Sequence, residues 1–261
     1  MTNEFAGKIV VVAGGSGGIG HGIAAAFAAE GAQTVLTPHW HFKEAAHASE
    51  KTGPLRPDVV AADLRTEAGC KLVFDFVAQR YGRCDILVNA AGATRAGAFL
   101  EQPAQEWQDG FALKFFGCVN LCRLFWPMLK AAHGHVVNII GGAARTPDQG
   151  FLVGGAVNAA MHNFTKGLSC LGKLDGVNVN AILPGLTQTP RVEQLFSQRA
   201  QASGKTIKEE RTAQVAKEGL NRVGTPEDVA ALALFLSSER AARHIQGTAN
   251  AVDGGGTPGL Y

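Results

Sequence analysis

The stretch Ala13-Gly14-Gly15-Ser16-Gly17-Gly18-Ile19-Gly20 carries the first chemistry that the chain offers. It follows the short apolar run Lys8 to Ala13 and precedes the alanine-rich stretch Ile23 to Ala29, an order that reads as strand, tight turn and helix. Glycines at such a turn let the backbone approach a pyrophosphate closely, and the helix start adds free N–H groups and a favourable dipole. Gly14, Ser16, Gly17, Gly18, Ile19 and Gly20 are therefore the candidate residues for holding a dinucleotide. At the end of a second strand, an acidic residue would select NAD and an arginine NADP. The chain has Thr37-Pro38-His39-Trp40 there, so His39 is the candidate for a 2′-phosphate, while the bulky Pro-His-Trp equally crowds an adenosine. The choice between NAD and NADP stays open.

The elements that must position this turn follow in a regular series. Thr34 to Thr37 reads as a strand, and Val59 to Ala62 as another, ending at Asp63. A helical stretch from Thr66 to Tyr81 leads to a strand from Ile86 to Asn89, and a long helical region, 104–131, leads to His135 to Ile140. A further helix, about 152–173, precedes Val177 to Leu183, and Ala249 to Val252 closes the series. Short, β-branched strands that do not alternate, separated by helices, predict an α/β fold with a doubly wound parallel sheet covered on both faces. No linker or low-complexity stretch interrupts it, so residues 1–261 read as one domain.

Composition narrows the function classes. Hydrophobic residues make up 46% of the 261 and charged residues 18%, enough for one large core. A formal charge of +2 without a basic or acidic block gives no footprint for nucleic acid or an anionic membrane surface. By composition no segment is expected to approach the ~20 apolar residues of a membrane span, and the N-terminal apolar run is too short for a signal peptide. The five cysteines, Cys70, Cys84, Cys118, Cys122 and Cys170, form no C-x-x-C framework and read as reduced thiols of a cytoplasmic protein. His39, His41 and His47 lack a supporting carboxylate pattern, so no metal site is predicted.

Several ordered motifs give the chain a resemblance to the short-chain dehydrogenase/reductase family along essentially its whole length. Gly14, Gly18, Ile19 and Gly20 match the family's T-G-x-x-x-G-I-G, with Ala13 in place of the threonine. Asp63-Leu64 resembles its adenine-contacting aspartate, and Asn89-Ala90-Ala91-Gly92 its N-N-A-G with one asparagine changed. Asn180 to Gly185 and Thr189 look like N-x-x-x-P-G-x-x-x-T, which in the family meets the nicotinamide carboxamide. The stretch 222–230, Gly247 and Val252-Asp253-Gly254-Gly255 resemble its C-terminal signatures. The resemblance implies a Rossmann-type fold, NAD or NADP as cofactor, and contacts from Asp63, Leu64, Asn89, Ala90, Gly92, Pro184, Gly185, Thr187 and Thr189.

It also implies hydride transfer between nicotinamide and an alcohol or carbonyl carbon, and here the match fails. The family uses a tyrosine as acid/base, a lysine four residues later, a serine thirteen residues earlier, and an asparagine in the preceding helix. Aligned on Phe164-Thr165 and Gly117, those positions hold Gly154, Asn158, Gly141 and Lys114. A slipped alignment does not rescue them, because the chain has only two tyrosines, Tyr81 and Tyr261, and no Y-x-x-x-K.

Three readings follow. The first is a catalytically inactive subunit, paired through the helices at 104–131 and 152–173, where Gly154, Gly155, Ala156, Ala159 and Ala160 allow close approach. Its partner is an active member of the same family in a hetero-oligomer, whereas self-association as a homodimer or homotetramer belongs to the other readings. The second is an oxidoreductase with relocated chemistry, Lys114 first, then His162, Asp148 or Tyr261. The third is a non-redox binding protein or lyase in the same crevice. The polar region Gln194 to Gly219 corresponds to the family's substrate lid and, with Leu195, Phe196 and Ile207 as its few apolar anchors, does not name a substrate.

Overall fold

The computed structural model describes residues 4–15, 18–38, 56–92 and 94–258. Its centre is a seven-stranded sheet in the order β3-β2-β1-β4-β5-β6-β7. The strands are β1 (Ile9–Ala13), β2 (Gln33–Thr37), β3 (Asp58–Val59), β4 (Ile86–Asn89), β5 (His135–Ile139), β6 (Asn178–Pro184) and β7 (Ala249–Val252). All pairings are parallel, as the non-alternating apolar strands predict. The predicted third strand, Val59 to Ala62, shrinks to the pair Asp58–Val59 at the sheet edge. Beyond Val59 the chain makes one more bond, Val60 N–H to the Leu36 carbonyl, and then turns away.

Helices cover both faces. On one lie α1 (Gly18–Ala29) and α8 (Pro226–Leu236), packed so closely that a Cβ on Gly22 would stand 2.6 Å from Pro226. Ile23, Phe27, Val229 and Ala233 join Val10 and Val12 in that core layer. The other face carries α2 (Glu67–Tyr81), α4 (Gly117–Ala132) and α5 (Leu152–Asp175), with Val73, Leu121, Phe125 and Met161 against Val11, Leu87 and Val136. Successive side chains of β1 thus serve opposite layers. Thr66, read as the first helical residue of α2, is its N-cap: its side chain accepts from Gly69 N–H.

The long helical region at 104–131 is three pieces. A short helix, α3 (Ala104–Gly110), runs into a π-helical turn, Phe111–Phe116, and then into α4. In the π turn the Gly117 N–H reaches back to the Ala112 carbonyl. Such widened turns gather at functional sites. The run Ala104–Ala132 is 29 residues long and apolar enough to cross a membrane by length and composition, which corrects the reading that no segment comes close. Here its apolar stripe, Leu113, Leu121, Phe125 and Leu129, is buried in the core beside the sheet. The lid region forms two helices, α6 (Pro190–Ser203) and α7 (Ile207–Lys217), joined by Arg211 bonding the Glu193 carboxylate at 2.5 and 2.6 Å. Phe196 is its buried anchor.

Candidate functional site

The sheet order reverses between β1 and β4, and the crevice outside their carboxyl ends is where open α/β sheets bind ligands. Two glycines shape it. Gly14 has φ +83° and Gly18 φ +54°, the left-handed region that side chains avoid. A Cβ on Gly14 would lie 2.6 Å from the Ala91 nitrogen, so the turns after β1 and β4 touch backbone to backbone. A Cβ on Gly20 would collide with the Gly14 carbonyl. Helix α1 starts at Gly18 with no acidic residue in its first turn, leaving its dipole and N–H groups for an anion. Across the crevice, the Thr189 methyl would stand 2.9 Å from a Cβ on Gly18, so the lid begins against the glycine turn. Bare glycines, an uncompensated helix start and a threonine facing them fit a dinucleotide's pyrophosphate. Ser16, Gly17 and His39 lie outside the described residues, and with His39 goes the choice between NAD and NADP.

The other cofactor candidates line the same end of the sheet. Asp63 receives Arg65 on both carboxylate oxygens, at 2.9 and 2.8 Å. Leu64 is buried, and its carbonyl would stand 2.7 Å from a Cβ on Gly117, which keeps α4 close. Asn89 donates to the Asn138 side chain at 2.9 Å, while its own Oδ1 finds no partner among the described residues. Ala90 N–H bonds the Ala13 carbonyl. Gly185 N–H bonds the Val252 carbonyl, and the Thr187 hydroxyl donates to the Gly185 carbonyl at 3.0 Å. Thr189 caps α6 by accepting from Val192 N–H. Ile19 packs on the core layer under α1.

Of the four positions of the sequence alignment, Gly141 and Asn158 are in direct contact, while Gly154 and Lys114 have other neighbours. Asn158 is buried, and its Oδ1 accepts from Gly141 N–H at 2.9 Å, tying α5 to the loop after β5. Gly154 faces the ring of Phe151: a Cβ there would fall within the space that the ring fills. Gly155 approaches the Ala143 carbonyl, 3.6 Å from where its Cβ would be. Gly154 is thus buried against its own Phe151, whereas Gly155 is half-buried with one ordinary contact to its own chain. Lys114 sits in the π turn with its aliphatic stem across Gly92, Cδ 2.9 Å from where a Cβ would be. Burial pushes its pKa down to about 8, and the Arg191 charge adds to the shift.

The remaining catalytic candidates separate. Asp148 accepts from Gly150 N–H at 2.7 Å and so holds its own loop. His162 is half-buried, its pKa lowered by burial and then by Arg145. Tyr81 bonds Asp58 at the start of β3, at the opposite end of the sheet from the crevice. Tyr261 lies outside the described residues. Two residues of the crevice escaped the sequence reading. Phe151 had a signal, because an aromatic three positions before a helical glycine shares its face. Arg191 had none, since only the tertiary fold carries its guanidinium to the Thr94 carbonyl.

Comparison with known proteins agrees with this architecture. The family model described as Enoyl-(Acyl carrier protein) reductase matches residues 13–257. The chain is 33% identical to L-fucose dehydrogenase of Bos taurus over 259 residues, covering 98% of this chain and 91% of that one. It is also 33% identical to the 3-oxoacyl-acyl-carrier-protein reductase of Chlamydia muridarum, covering 98% and 99%. Among solved structures, L-sorbose reductase from Gluconobacter frateurii, complexed with NADPH and L-sorbose, superposes with a TM-score of 0.92 at 32% identity, over 100% of both chains. The chain belongs to the short-chain dehydrogenase/reductase family.

Proposed function

We propose that this chain binds NAD or NADP in the crevice between β1 and β4, lacks the family's proton relay, and serves as the non-catalytic subunit of an assembly with an active relative. Cofactor binding is supported by the glycine turn and by the NADPH complex of the sorbose reductase. The observation that carries the rest is the Phe151 ring, which fills the volume where a side chain at position 154 would begin. Gly154 brings no acid, Gly141 no hydroxyl, and the Asn158 amide bonds the Gly141 backbone. A bound nicotinamide supplies or accepts a hydride, but a carbonyl oxygen also needs a proton donor. Losing a general acid lowers the rate by about 10²–10⁴-fold. Association is supported by Phe116, Leu171 and Leu174, exposed at the end of the π turn and on α5.

Native mass spectrometry of the tagged protein, isolated gently from its source, tests this reading. A complex with a second family member carrying an intact Y-x-x-x-K is expected. A homo-oligomer alone removes the subunit reading. A second reading, an oxidoreductase that uses Lys114 as acid/base, draws on the lowered pKa of that lysine beside Gly92. It requires NAD(P)H turnover by the isolated chain, with an inflection near pH 8 that disappears in Lys114→Ala.

A further inference from the structure

Two cations are fastened to one loop at the mouth of the crevice. The Lys114 stem lies along Gly92, and the Arg191 guanidinium, reaching in from the lid helix α6, donates to the carbonyl of Thr94 in that same loop. The Arg191 charge adds to the burial that lowers the Lys114 pKa. Among the described residues no carboxylate pairs with either of them, and the one acidic group acting on Lys114 is the Cys118 thiol, itself kept neutral by burial. Desolvation disfavours the charge on both. Such a pair is unfavourable unless something negative completes it. The acidic residues nearest in sequence are committed elsewhere, Glu193 to Arg211 and Asp109 to Arg65, at 4.0 Å, and to Gln105.

The surroundings indicate what the missing charge belongs to. Gly110, one turn before Lys114, packs on Thr94, Val153 and Val157, which brings the start of α5 beside the cations. Phe151 and Gly154 stand at that start, so an apolar ring and a bare backbone adjoin the charged loop. The pyrophosphate cradle is a different place, at Gly14 and Gly18 under α1. We infer that Lys114 and Arg191 form an anion site which takes the carboxylate of a small organic acid, its apolar part lying toward Phe151. The site sets the class of ligand and does not depend on whether the chain turns that ligand over.

Calorimetric titration separates the outcomes, with levulinate as the probe and its neutral amide, 4-oxopentanamide, as the control. Both are titrated into the full chain, with and without NADPH. Levulinate is expected to bind in both cases, at least about tenfold more tightly than the amide, which corresponds to about 1.4 kcal/mol. Lys114→Gln and Arg191→Gln should each weaken levulinate about tenfold or more and leave the amide unchanged. Arg191→Lys, which keeps the charge, should recover much of the binding and so separates charge loss from misfolding. Equal affinity for acid and amide, no binding of either, or unchanged levulinate affinity in both glutamine variants overturns the inference. Levulinate excluded by NADPH, with NADPH affinity falling in both variants, assigns the cations to the cofactor's phosphates and also overturns it. Absence of NADPH binding counts against the cofactor reading alone, because the levulinate arm stands without it.

Discussion

Placing a methyl group on Gly154 tests the packing that removes the acid position. In an ordinary helix interior Gly→Ala stabilises by about 1 kcal/mol. Here the added Cβ would enter the space of the Phe151 ring, and overpacking of this kind costs about 1–3 kcal/mol. Gly154→Ala should therefore leave stability unchanged or reduce it by up to about 2 kcal/mol, the balance of those two effects. Removing the ring first changes the sign: in a Phe151→Ala background the same substitution should stabilise by about 1 kcal/mol. The coupling between the two positions is then about 1–3 kcal/mol, well outside the additivity of independent sites. Urea unfolding of the four proteins measures it, provided the denaturant slope is constant across the set. If Gly154→Ala stabilises by the same amount with and without Phe151, the ring does not occupy that space and the reasoning fails.

Three other perturbations probe the account. Asn158→Ala strips the part-buried Gly141 N–H of its acceptor and should lower stability by about 1–3 kcal/mol in urea unfolding, whereas an effect below half a kcal/mol would contradict the tie. His135 has its pKa lowered by burial, against the pull of Glu239 and with Arg243 and Lys8 assisting. Its folded value lies below the unfolded ~6.5, so stability is full above that pH and declines as pH falls through the window below it. His135→Gln should flatten this decline, and an unaltered pH profile would refute the assignment. Leu174 is 84% exposed and Phe116 54%; if they cover a subunit contact, Leu174→Asp with Phe116→Asp should shift the native mass toward the single chain without lowering the melting temperature.

How far the sequence reached depends on whether the signal was local. β4 and β7 were legible to the residue: Ile86 to Asn89 is a short apolar run between Asp85 and the Ala90-Ala91-Gly92 turn, and Ala249 to Val252 is bounded by Gly247 and the Asp253-Gly254-Gly255 turn. The glycine turn was legible because Gly14 and Gly18 must take positive φ. The end of β3 was not, since Val59 to Ala62 has strand-like residues and only the neighbouring strand decides how many of them pair. The π turn was also hidden: Phe111 to Phe116 carries an ordinary apolar pattern, and the bond from Gly117 to Ala112 leaves no compositional mark. Lys114 was placed in the crevice from the alignment. Its second charge was not, because Arg191 reaches Thr94 through the fold.

The most direct test of the central claim uses the isolated chain. NADPH and NADH are titrated by fluorescence, and the same preparation is then followed for oxidation of the bound cofactor across a set of ketones and aldehydes. The account predicts saturable binding of at least one of them, with no oxidation beyond the rate of the protein-free reaction. Sustained oxidation of NADPH or NADH by the chain alone, with any carbonyl substrate, would contradict it.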